Sequence, residues 1–228
     1  MIVIKDRRVR RVIGTLFPFA VIPALALLGA TVFDNRRHLI VSMAAAVLTL
    51  FVFASGYEKK QVGTRRMVLA SVMTALCVLG RFIPVFKPIS AVTVIAGMYL
   101  GSETGFLVGA MSALVSNIFF GQGPYTAFQM LAWGLIGFIA GLLREPLKKS
   151  RALLLGYGIL SGVAYSFIMD IWTTLWYSGE FDGAVYLSAL GTAIPYTVSY
   201  AVSNFIFRFF LAKPLGEKLE RIHIKYGV

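Results

Sequence analysis

Long apolar runs, broken by short charged or proline- and glycine-bearing stretches, organise this chain from end to end. A membrane-crossing helix needs roughly 20 apolar residues, with about 17 to 25 tolerated. Runs of that kind lie at 12–33, 39–57, 67–83, 105–120, 125–143, 152–177 and 184–211. The stretch 89–100 is too short for a regular crossing and leads directly into the run that follows it. Gly101-Ser102-Glu103-Thr104 predicts a tight reversal there, because one continuous helix would carry glycine and charge to mid-bilayer. The pattern therefore predicts about eight helical spans.

Composition agrees with that reading. The 228 residues are 58% hydrophobic and only 14% charged, whereas a soluble domain carries about 25% charged residues. A water-soluble fold of this length has too little core to hide so much apolar surface. The 22 glycines and eight prolines argue against a soluble helical bundle, but membrane helices tolerate both. The start does not resemble a cleaved signal peptide, since no small-residue cleavage site follows its basic stretch.

The formal charge of +12 invites a nucleic-acid partner, and its distribution excludes one. The cations lie in clusters between apolar runs, not along a solvated face. In alternate loops from the N-terminus, Lys plus Arg number five in 1–11, four in 58–66, none in 101–104, four in 144–151 and four in 213–228. The opposite loops hold only Arg36, Arg37 and Lys87. By the positive-inside rule both termini are cytoplasmic. The basic side also suits anionic lipid headgroups.

Some polar residues are not explained by lipid alone. Asp170 is the one acidic residue well inside a run. It lines a polar cavity or pairs with a cation such as Arg81, against the plainer reading of a structural ion pair. Arg81, with Lys87, makes a small positive outer rim, suited to an anionic ligand or to headgroups. Arg208 lies near the inner end of the last run, where snorkelling accounts for it. The amides Asn117, Gln122, Gln129 and Asn204 must point inwards, either to other helices or to a ligand. Gln129 and Trp133 share a helix face, as do Tyr196 and Tyr200 around Pro195. Tyr125, Trp172, Trp176 and Tyr177 fall towards the outer side, as an aromatic belt or as pocket walls. Ala70/Thr74 and Ser71/Ala75 form overlapping small-xxx-small pairs. Cys77, the single cysteine, reads as a packed hydrophobe. There is no phosphate loop, HExxH or His/Cys cluster, so the residues call for no catalysis, metal or cofactor.

The segment from Arg65 to Leu143, above all FFGQGPYTAFQMLAWGLIG (119–137), resembles the substrate-binding S components of energy-coupling factor (ECF) vitamin transporters. The likeness extends more loosely through the last two spans, to about residue 212. The resemblance implies an all-α polytopic membrane protein, a six-helix S-component-like bundle at 61–212. Two extra transmembrane helices at 12–60 precede it, with a basic cytoplasmic N-terminus at 1–11 and a basic tail at 213–228. It implies a multi-pass protein of a prokaryotic cell membrane that binds a vitamin and hydrolyses no ATP itself. Its partners would be a membrane coupling subunit, docked on Ala70, Ser71, Thr74 and Ala75, and two cytoplasmic ATPases. Thr74 departs from the family's strict alanine pattern. The vitamin would sit near the outer face under the loop Pro84-Val85-Phe86-Lys87-Pro88 until the module topples inwards. The expected binding set is Arg81, Phe86, Lys87, Asn117, Gln122, Tyr125, Gln129, Trp133, Asp170, Trp172, Trp176, Tyr196, Tyr200 and Asn204. The branch it most resembles is the one associated with cobalamin, with riboflavin or another heterocycle as the alternative. From a different class, a membrane scaffold without a small ligand also fits the composition.

Overall fold

In a bilayer each backbone N–H and C=O must be satisfied within its own segment, so the apolar runs coil into helices. The structure is a computed structural model that describes residues 6–31, 38–55, 60–84 and 87–226. Among those residues every regular element is a helix.

Helix α1 (Arg7–Leu16) starts on Asp6, whose carboxylate accepts from the Arg8 and Val9 N–H groups. It passes through a π-helical turn (Phe17–Val21) into α2 (Ile22–Thr31). The Ile22 N–H reaches back five residues to the Phe17 carbonyl, widening the ladder where Pro18 has no N–H to donate. Then follow α3 (His38–Ser55), α4 (Lys60–Gly80), α5 (Ile89–Leu100), α6 (Ser102–Phe120) and α7 (Tyr125–Leu142). The short α8 (Arg144–Lys149), α9 (Arg151–Ser178) and α10 (Gly183–Tyr226) complete the chain.

Helices α5, α6 and α7 form the centre, and glycine lets them approach. A Cβ on Gly97 or Gly105 would overlap the Gly137 carbonyl oxygen, and one on Gly109 would overlap that of Trp133. Backbones this close gain dispersion contacts that larger residues would block. Helix α5 has only 12 residues, of which all but Tyr99 are buried. At 1.5 Å per residue it covers about 18 Å, less than the hydrocarbon thickness. The reversal after it is a single residue, Gly101, held at φ 99°. Arg66 donates to the Leu100 carbonyl at 3.0 Å, closing the end of α5 from α4.

Helices α3 and α4 flank α6, while α9 and α10 pair along their length and α10 also packs on α5. Among the described residues, four helical segments are long and apolar enough to cross a membrane unaided: Arg8–Leu28, Ser102–Phe120, Tyr125–Leu142 and Arg151–Ser178. Leu79, Ile118, Leu160 and Phe210 stand exposed on the outside, as a lipid-facing surface requires. The chain is an all-α polytopic membrane protein.

Several helix ends differ from the sequence reading: α1 begins at Arg7 and α4 at Lys60, inside stretches read as basic loops. The third run ends as a helix at Gly80, and 81–84 form a turn in which the Arg81 N–H returns to Cys77 and Val78. The last helix does not stop at Leu211 but continues through Pro195 and Pro214 to Tyr226. Its final turns are kept by packing, with Leu219 buried in the main core. Cys77 is fully buried, its Sγ 3.7 Å from the Ile89 carbonyl, as a packed hydrophobe should be.

Candidate functional site

The turn after α4 swings Arg81 over the ends of α6 and α7. Its guanidinium donates to Ser116 Oγ and to Asn117 Oδ1, each at 2.5 Å. The Asn117 amide donates in turn to Thr126 Oγ1 and Gln129 Oε1, both at 2.9 Å. Gln129 Nε2 donates to the Tyr165 hydroxyl at 3.3 Å. One chain of hydrogen bonds therefore runs from α4 through α6 and α7 to α9, and each member fixes the next. Asn117 is fully buried, where an amide left unpartnered would be costly.

An aromatic wall continues from that chain. Trp133 and Tyr165 stack at 4.9 Å with their planes 14° apart, and Tyr165 meets Tyr200 edge-on at 5.0 Å. The Arg81 guanidinium lies 4.7 Å from the Phe120 ring centre and 5.7 Å from that of Trp133. Lys87 lies 5.8 Å from the Phe120 ring, and its carbonyl accepts from Ser203 on α10. Partial burial, and then the charge of Arg81, hold the Lys87 ammonium below the ordinary lysine range. Arg81, Lys87, Ile89, Ser90, Gln129, Trp133, Tyr165 and Tyr200 enclose a recess of about 40 Å³, with no carboxylate in its lining. That is room for about three waters. The arrangement sets aromatic faces beside the cationic and amide donors of Arg81, Lys87 and Gln129.

Five expected residues thus line one recess: Arg81, Lys87, Gln129, Trp133 and Tyr200. Asn117 stands directly behind them. Gln122 and Tyr125 shape the neighbouring loop, Gln122 donating to the Leu114 carbonyl and Tyr125 to that of Gly121. Gly121 has φ 97°, which suits glycine.

Other expected residues lie elsewhere. Asp170 makes no ion pair with Arg81; it sits beside Ser166 on the α10 side of α9, with Oδ2 unpartnered. Trp172 packs on Phe128 and Trp176, in a smaller cluster that α2 and α3 share. Trp176 is half exposed and Tyr196 is 70% exposed, so both face the surroundings of the bundle. Asn204 donates to Ser161, a level further from the Lys87 loop. Phe86 lies outside the described residues.

Tyr165, Ser90 and Ser116 escaped the sequence reading. Tyr165 carried a usable signal, since a hydroxyl in mid-span needs a partner. Snorkelling does not account for Arg208. It is 1% exposed, and donates to the Ser90 carbonyl and to Ser161 Oγ inside the bundle.

On the other flank, an apolar groove of about 450 Å³ runs along α4 between α3 and α6. Ser71, Thr74 and Ala75 open onto it, whereas Ala70 is buried in its floor.

Residues 61–221 match the family described as ECF-type riboflavin transporter, S component. The chain belongs to the ECF S components, membrane subunits of vitamin transporters that carry out transport and not catalysis. The family's description points to riboflavin and lends nothing to the cobalamin branch. No curated protein and no solved structure matches the chain.

Proposed function

We propose that this chain is the riboflavin-binding S component of an ECF-type importer, taking up the vitamin at the Lys87 end, which faces outwards. One observation carries the reading: the Trp133–Tyr165–Tyr200 aromatic wall beneath two cations, with Gln129 between them. An isoalloxazine is flat and apolar on its faces, and its pyrimidine edge is rich in carbonyl acceptors. Aromatic rings complement the faces, and guanidinium and amide donors complement the edge. The recess must widen for any vitamin, and Lys87 and Tyr200 line two of its sides. A corrinoid is far broader and would have to part α7, α9 and α10 as well. The family description favours riboflavin over cobalamin.

The basic loops at the opposite end support cytoplasmic termini. The α4 groove, with Ser71, Thr74 and Ala75 on its lip, suits close approach by a helix of the coupling subunit. ATP hydrolysis then falls to two separate cytoplasmic subunits, and toppling would deliver the vitamin inwards. Helices α1 to α3 are additional to this six-helix core of residues 61–212 although α2 and α3 pack against α6 and α7, a division supported by the family match beginning at residue 61.

Native mass spectrometry of the purified chain, after exposure to a mixture of vitamins, tests the cargo. One riboflavin per chain is expected. A corrinoid adduct would keep the class and change the vitamin, and a folded protein with no adduct would favour a scaffold.

A further inference from the structure

At the end of the bundle opposite Lys87, Arg144 pairs with Glu145, whereas among the described residues Lys148, Arg151, Arg208 and Lys213 make no ion pair. Helix α8 and the first turns of α9 meet α10 around an open groove of about 410 Å³. Arg208 reaches it from inside the bundle. Its Nη2 is hydrogen-bonded, but Nε and Nη1 have no partner although both are fully buried. Gly158 makes the space, since a Cβ there would overlap Nη1. An uncompensated guanidinium in a low-dielectric interior is costly and calls for an anion.

The rest of the lining fits an anion with an apolar body. Lys148, Arg151 and Lys213 stand at the rim, and no carboxylate lines the groove. Two of these cations are held on aromatic faces, Lys148 at 4.3 Å from the Tyr99 ring and Arg151 at 4.1 Å from that of Phe209. The nearby Glu217 and Glu220 act on Tyr99 from further along α10. Leu154, Phe209 and Phe210 supply the apolar walls, and Phe209 and Phe210 are exposed on the lipid-facing side of α10.

We propose that this groove is a binding site for an anionic phospholipid, its headgroup phosphate held by Arg208, Lys148 and Arg151 and its acyl chains lying on Leu154, Phe209 and Phe210. Basic pockets between membrane helices take such headgroups because charge and hydrocarbon are satisfied together. A soluble phosphate would satisfy the cations and leave the walls unused.

The test is native mass spectrometry of the full chain, exchanged from detergent into mixed micelles of phosphatidylglycerol and phosphatidylcholine. Wild type is expected to retain one phosphatidylglycerol with about tenfold preference, and Arg208→Gln to lose that preference. Should Arg208→Gln fail to fold, the rim double variant Lys148→Gln/Arg151→Gln, which leaves the buried bonds intact, is expected to cut the preference about as far. Equal retention of both lipids by wild type would overturn the site. So would an unchanged preference in the rim variant, or displacement of the lipid by inorganic phosphate.

Discussion

Trp133 and Tyr165 come from different helices, yet their rings lie nearly parallel at 4.9 Å. The Tyr165 hydroxyl is at the same time the last acceptor of the hydrogen-bond chain that starts at Arg81. The aromatic wall and the polar chain are therefore locked to each other, and a ligand that stacks on one is registered against the other.

The two residues should respond differently to substitution. Trp133→Ala removes the stacking partner and is expected to weaken riboflavin binding by about 1–3 kcal/mol, combining lost ring contact with lost area. Tyr165→Phe keeps the ring and loses one hydrogen bond, at a cost of about 0.5–1.5 kcal/mol. Isothermal titration on both variants checks the order; a larger loss for Tyr165→Phe would move the ligand away from Trp133.

Asn117 is the hub of the polar chain, so its loss strands several buried partners together. Asn117→Leu is expected to destabilise the protein by about 2–3 kcal/mol, mainly by leaving Arg81, Thr126 and Gln129 short of partners. Thermal denaturation in detergent reads this directly. The exposed Tyr196→Phe should leave the midpoint unchanged.

Gly137 presses on Gly105 from α7, and a Cβ there would meet the Gly105 carbonyl. Backbone cannot yield as a side-chain tip can. Gly137→Ala is therefore expected to cost about 1–3 kcal/mol, typical of overpacking, while Gly156→Ala, with open space around it, is tolerated. Comparing the thermal midpoints of the two variants tests whether glycine contact holds the centre together.

Ser71 and Ala75 are exposed on the lip of the α4 groove. Ser71→Trp and Ala75→Trp should fill it and abolish co-purification with the coupling subunit, while riboflavin binding persists. Retained co-purification would remove the groove from the docking surface, and lost vitamin binding would couple it to the recess.

Much of this was legible in the chain, for reasons that differ by residue. Apolar run length sets span length in a bilayer, so most helices could be bounded to within a few residues. The exceptions include the start of α4, which takes in the basic stretch from Lys60 that apolar run length leaves out, and the end of α10, which runs on past Pro214 because its last turns, with Leu219, still pack against the bundle. Arg81, Lys87, Gln129 and Trp133 stood out because lipid offers such groups no partner. Asp170, Trp176 and Tyr196 stood out equally and lie elsewhere, since period and depth say which level a side chain occupies but not which neighbour it faces. Arg208 shows the same limit: snorkelling and deep burial place a cation at the same sequence position. The glycines of α5, α6 and α7 were visible one by one, but their meeting depends on helix order in space.

The proposed riboflavin site is the recess of Arg81, Trp133, Tyr165 and Tyr200. Riboflavin fluorescence, titrated against the purified chain, measures it most directly, because stacking on Trp133 quenches the flavin. Saturable quenching at one riboflavin per chain is expected, lost in Trp133→Ala and unaffected by excess cobalamin. Quenching that survives Trp133→Ala, or that cobalamin competes away, would contradict this assignment.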